Sequence, residues 1–163
     1  MATVARGRGS WNQRFARWLY RGGRPNRIAR PMNAFGALLA GRGLAASRMV
    51  TLEVVGRRSG RTVALPLVPV PLDGERFLVC MLGRNANWVR NVEAADGLAV
   101  LRHGRAEQVR LVDVPVERRA PIIRRYLDLA PGARPHMPVQ RGAPLEEIAA
   151  VAEQIPVFRV TER

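Results

Sequence analysis

The amino-acid sequence predicts an α+β domain: a barrel-like sheet of mainly antiparallel strands with flanking helices. Three observations carry this. Five or six β-rich segments follow one another between residues 49 and 160, most joined by short turns rather than the long crossovers that parallel strands need. Helical patterns stand before, between and after them, without the regular strand–helix alternation of a doubly wound fold. The 163 residues, 47% hydrophobic and 25% charged, suit one core that needs neither disulfide nor metal.

Each element has its own signal. Ser10 is placed to cap a helix over about Trp11 to Tyr20. There Trp11, Phe15, Trp18 and Leu19 share one face, and Arg14, Arg17 and Arg21 lie toward the other. Gly22, Gly23 and Pro25 end it, so residues 1–30 read as a basic amphipathic segment ahead of a domain spanning 31–163. A second apolar helix is expected over about Met32 to Ala40. Met49 to Val55 is β-rich, Gly56 to Gly60 reads as a turn, and Arg61 to Leu72 alternates as one long strand. Pro66, Pro69 and Pro71 make that strand an edge or bulged one. Asp73-Gly74 signals a hairpin returning as Arg76 to Leu82.

Gly83 to Asn87 is a polar loop before a short helix, Trp88 to Ala95, which Asn85 or Asn87 is placed to cap. Leu98 to His103 and Ala106 to Val114 form a hairpin about Gly104. Glu117 to Leu129 is helical, with Ile122, Ile123, Tyr126 and Leu127 on one side and Pro121 in the first turn. Residues 131–143 are a proline- and glycine-rich loop. A helix from Pro144 to about Gln154 and a closing strand, Ile155 to Val160, complete the chain.

The charge narrows the partners. All 27 basic residues are arginine, and against 13 acids they leave a formal net charge of +14. The first carboxylate is Glu53, so residues 1–52 hold ten arginines and no acid. Such an excess implies an anionic partner: a phosphorylated cofactor, an acidic membrane surface or nucleic acid. No helix-turn-helix, RRM or zinc-finger signature supports nucleic acid, which ranks last. The absence of lysine excludes Schiff-base chemistry and a Walker A loop. His103, His136 and Cys80 have no zinc-motif spacing. None of the three serines sits in a G-x-S-x-G elbow. Chemistry borrowed from a cofactor is what remains.

Two short stretches are candidates for it. Gly56-Arg57-Arg58-Ser59-Gly60-Arg61 joins two predicted strands; its glycines permit tight backbone, and its arginines supply forked donors for phosphate or carboxylate. A solvated basic hairpin turn is the competing reading. Gly83-Arg84-Asn85-Ala86-Asn87-Trp88, running on to Asn91, places small polar residues before a helix, where backbone N–H groups face an anion. A tryptophan there is more often simply a core anchor, and structural packing is the favoured reading for Trp88. Cys80, on a predicted inner strand, reads as a small core residue, and His103 as structural.

With these residues in order, the chain resembles the deazaflavin-dependent nitroreductase family, a branch of the split β-barrel flavin and deazaflavin oxidoreductases. The resemblance rests on G-R-R-S-G-R at 56–61, Pro66-Leu67, the D-G hairpin, W-V-R-N at 88–91 and the Pro-Val-Phe-Arg-Val ending. It implies an FMN-binding-like split β-barrel that binds coenzyme F-420, a deazaflavin with a phosphodiester and an oligoglutamate tail; FMN is the second choice. Arg57, Arg58 and Arg61 would then hold phosphate and tail, with Ser59 and Gly60 shaping the turn. Pro66 would lie beneath the ring, and Gly83, Arg84 and Asn85 along the cofactor, with Trp88 and Asn91 supporting that loop.

The implied reaction is hydride transfer from reduced deazaflavin to a small hydrophobic acceptor: a quinone, a nitroaromatic or an activated alkene. Tyr126 and His136 are the candidate catalytic residues, Tyr126 lining the acceptor pocket; His136 reads first as an exposed loop histidine without a role, and alternatively as the proton donor. An alternative is a non-catalytic split-barrel protein holding a deazaflavin, flavin or lipid-like ligand. No apolar run approaches the length of a membrane span, so the expectation is a cytoplasmic protein. Trp11, Phe15 and Trp18 either pack on the barrel or bring it to the inner face of an anionic membrane.

Overall fold

The computed structural model describes residues 48–162. The two N-terminal helices, the division at residue 30 and the membrane-facing Trp11, Phe15 and Trp18 lie outside these. Seven strands form one antiparallel, curled half-barrel sheet in the order β2-β1-β5-β6-β7-β4-β3. The strands are β1 (Val50–Val55), β2 (Thr62–Leu67), β3 (Val70–Leu72), β4 (Glu75–Val79), β5 (Leu98–His103), β6 (Arg105–Asp113) and β7 (Val157–Glu162). Helix α1 (Asn87–Ala94) lies between β4 and β5, and α2 (Arg119–Leu129) and α3 (Leu145–Val151) between β6 and β7.

The expected long strand over 61–72 is two strands at opposite edges of the sheet, β2 and β3. Leu67 is the last residue of one and Val70 the first of the other, and Pro69, with no N–H to donate, stands between them. Edge positions suit both, because Pro66 and Pro71 need supply no second ladder there. Asp73 and Gly74 both take positive φ, 51° and 78°, the combination that a two-residue hairpin with the native twist requires.

The expected asparagine cap on α1 is absent. Ala86 holds the N-cap position without a side-chain bond, and Asn85 instead accepts from the Arg90 guanidinium at 2.8 Å. The loop at 131–143 contains a 3-10 helix, Pro131–His136, which its helix-breaking composition concealed.

The sheet buries a core on each face. Leu52, Val54, Leu101, Val109 and Phe158 pack beneath α1 with Trp88, Val89 and Val92. Val70, Phe77, Val79 and Val157 pack against Ile122, Ile123, Tyr126 and Leu127 of α2 and Ile148 of α3. Arg119, the first residue of α2, is 1% exposed. Its guanidinium donates to the carbonyls of Val114 (2.7 Å), Ala152 (3.2 Å) and Ile155 (3.3 Å) and to Asp113 Oδ1 (3.0 Å). A buried charge is tolerable only when its donors are matched in this way. The bonds fasten the start of α2 to the segment that leads into β7.

Candidate functional site

The β1–β2 hairpin has two dissimilar ends. At its tip, Gly56–Arg61 closes on itself: the Gly56 N–H donates to the Arg61 carbonyl and the Gly60 N–H to the Gly56 carbonyl, each at 2.8 Å. A side chain on Gly56 would meet Ser59 Oγ at 2.8 Å, so only glycine fits without displacement. Ser59 Oγ accepts from the Arg61 N–H at 3.3 Å and so shapes the turn. One side chain anchors the tip to the domain. Asn91, buried on α1, accepts at Oδ1 from both the Arg57 backbone N–H (3.2 Å) and the Arg57 guanidinium (2.9 Å).

Arg58 and Arg61 extend into solvent. Neither guanidinium meets a carboxylate among the described residues, whereas seven other arginines do. The tip therefore presents two uncompensated cations on a backbone that is already rigid.

At the other end of the hairpin lies a cleft of about 780 Å³. One wall is Leu65–Val68 of β2 and its continuation, and the facing wall is Leu129–Ala133 with His136. Cys80, Trp88 and Tyr126 complete the lining. Four sequence-predicted residues thus meet here: Pro66, Trp88, Tyr126 and His136. The register sets Pro66 opposite Thr51 and Thr62 opposite Val55, so some five residues separate Arg61 from Pro66, about 17 Å of strand.

Burial governs the titratable groups of the cleft. The Cys80 thiol is 1% exposed, donates to the Gly83 carbonyl at 3.4 Å, and is pushed up to about 12 by burial. Burial, and secondarily the neighbouring Cys80, raises the Tyr126 hydroxyl above the usual phenol value, so it stays protonated. Trp88 packs on Phe158 with ring centroids 5.6 Å apart and planes tilted by 58°, which fixes the indole at the cleft. His136 is half-buried, the last residue of the 3-10 helix. Arg134 stitches that helix to the end of α2, donating through Nε to the Leu127 carbonyl at 2.8 Å.

The remaining predicted residues lie in the loop between β4 and α1. Arg84 pairs with Glu93 (3.2 Å) and Asp113 (3.5 Å), and Asn85 with Arg90. Gly83 takes φ +78° at the bend that leaves β4, and its carbonyl accepts both the Cys80 thiol and the Ala86 N–H.

Sequence reasoning missed Arg48, Met81, Leu82 and Leu129 as lining residues. For Leu129 a signal existed, because Ile122, Tyr126 and Leu129 stand at i, i+4 and i+7 on α2. The others come from loops and strand ends whose placement only the sheet order decides.

Comparison with solved structures supports the fold. A protein of unknown function from Agrobacterium tumefaciens aligns at 16% identity and TM-score 0.53, covering 77% of this chain and 53% of that one. A heme-binding protein from Mycobacterium smegmatis aligns at 14% identity and TM-score 0.50, covering 78% and 51%. The chain spans about half the length of these two proteins. An F-420-H2-dependent reductase aligns at 22% identity and TM-score 0.45, covering 70% of this chain and 94% of that one. No curated protein matches the sequence. The sequence profile described as F-420H(2)-dependent quinone reductase matches residues 27–146.

Proposed function

This chain belongs to the F-420H(2)-dependent quinone reductase family, and on that premise we propose that it reduces a small hydrophobic acceptor, a quinone first among them, with hydride from reduced F-420. Coenzyme F-420 is its cofactor, and its chemistry is that of an oxidoreductase. Nitroaromatics and activated alkenes are secondary candidates for the acceptor.

The single observation that carries this reading is the pairing of an apolar cleft with a cationic tip on one hairpin. The residues present fit the cofactor. A volume of about 780 Å³ lies within the roughly 300–1,000 Å³ of small-molecule sites, and its lining is apolar as such sites require. Arg58 and Arg61 would hold the anionic tail, and Arg57, committed to Asn91, would keep the tip in place. Pro66 and Trp88 would hold the ring.

When bound, reduced F-420 supplies a hydride from C5. The protein's residues do the rest. The apolar walls exclude water, which strengthens every polar interaction made inside. Tyr126 offers a hydroxyl that burial keeps protonated, suited to orienting an acceptor oxygen rather than ionising. His136, held through Arg134, carries the proton that the reduced acceptor takes up.

The test is a fluorescence titration of the purified protein with F-420, with FMN as competitor, followed by oxidation of reduced F-420 in the presence of menadione. Saturable binding that FMN does not displace, together with menadione-dependent turnover, is the expected result. Binding without turnover across quinones and nitroaromatics would replace the enzyme by a binding protein. Absence of binding would remove both.

A further inference from the structure

We infer that the cleft is selective for acceptors bearing a negative charge, and that Arg48 at its rim is the residue that reads that charge. This rests on the reductase reading above and specifies the class of acceptor.

Arg48 is exposed and lines the cleft two residues before β1. Its guanidinium has no carboxylate or hydrogen-bond partner among the described residues. The sequence closes the obvious alternative, because no side-chain carboxylate precedes Glu53 and residues 1–47 cannot neutralise it. Among the described residues the only other basic side chain lining the cleft is His136, and no aspartate or glutamate lines it. An apolar chamber whose charged groups are all of one sign attracts an amphiphile of the opposite sign.

Position assigns that charge to the acceptor rather than to the cofactor tail. Arg48 and the Gly56–Arg61 tip stand at opposite ends of β1, whose six residues span about 20 Å. With the tail on the tip, Arg48 lies at the far end of the cleft. Its backbone is held there, because His103 Nδ1 donates to the adjoining Met49 carbonyl at 2.8 Å. The class of acceptor is thus an apolar quinone ring carrying a carboxylate or an ionised hydroxyl. Its reduction to the quinol takes one hydride from the reduced cofactor and one proton through His136, with the acidic group unchanged.

The test compares two acceptors with the same ring: 2-methyl-1,4-naphthoquinone carrying a 3-propionic acid side chain, and its methyl ester. The readout is the ratio of kcat/KM for acid over ester. In Arg48→Gln that ratio should fall about tenfold, the scale of one lost charge-assisted hydrogen bond. Arg48→Lys should keep most of it, and added salt should lower it in the parent chain. An unchanged ratio in Arg48→Gln overturns the assignment. So does an equal loss for both acceptors, which would make Arg48 a cofactor contact. Failure of the parent chain to turn over even the ester removes the reductase reading itself, and this proposal with it.

Discussion

At the tip of the β1–β2 hairpin, six consecutive residues make a charged turn that one asparagine fastens to the domain. At the other end, residues from β2, the loop after β4, α1, α2 and the 3-10 helix meet around an apolar cleft. The tip is local, exposed and electrostatic. The cleft is assembled from distant segments and held by burial. Damage at the tip should therefore stay at the tip, whereas damage behind the cleft should spread into the fold.

The largest effect is expected at the start of α2, the helix whose other end carries Tyr126 and Leu129 into the cleft. Arg119→Ala leaves three buried carbonyls without their donor and takes one partner from the exposed Asp113, which keeps Arg84. A buried acceptor left unsatisfied costs about 1–3 kcal/mol, so with three of them the loss should be at least about 3 kcal/mol. Urea unfolding of the variant should show that loss. A cost below about 1 kcal/mol would mean that the α2–β7 junction is held by apolar packing alone.

Asn91→Leu tests whether the tip is as separable as it looks. The substitution keeps a buried side chain of similar size but deletes the acceptor for both Arg57 donors. Stability should fall by about 1–2 kcal/mol, and F-420 affinity by roughly tenfold, because the turn loses its anchor. If stability falls while affinity stays, the tip does not hold the cofactor.

The same contrast explains what was legible in the sequence. G-R-R-S-G-R could be read as a glycine-bounded cationic turn because every contact that shapes it lies within six residues. The Asp73-Gly74 hairpin was legible for the same reason. That Arg61 to Leu72 would part at Pro69 and send β3 to the far edge was not, since β-alternation runs through the break. Nor did the sequence disclose that Pro66, Trp88, Tyr126 and His136 share one cleft. Their meeting depends on β7 inserting between β6 and β4, which brings α2 and its following loop over the sheet. The family resemblance pointed to Pro66, Trp88 and Tyr126, and the chemistry of histidine to His136, without locating them together. Arg48 carried no motif, and only its place beside β1 made it visible.

Arg58→Ala and Arg61→Ala should each weaken F-420 binding by about fivefold, near 1 kcal/mol, and leave unfolding unchanged. Both side chains are exposed, so the loss should shrink as salt rises and screens the parent chain as well. A stability change as large as the affinity change would contradict the picture of a tip that serves only as a charged handle.

At neutral pH the smallest effect is the one that measures how dry the cleft end is, since it opens only in alkali. Burial lifts the Cys80 thiol to about 12, from an ordinary value near 9. Above pH 9 the unfolded chain releases this proton while the folded chain keeps it, so the unfolded state is favoured as pH rises. Stability should thus decline through pH 9–12, by about 1.4 kcal/mol at pH 10. Tyr126, raised by the same burial, adds a loss of the same sign at higher pH. Cys80→Ala should remove the part that begins near pH 9 and spare the later one. A parent chain whose stability is flat from pH 8 to 10 would show that water reaches the thiol, and the cleft would then be no drier than the tip.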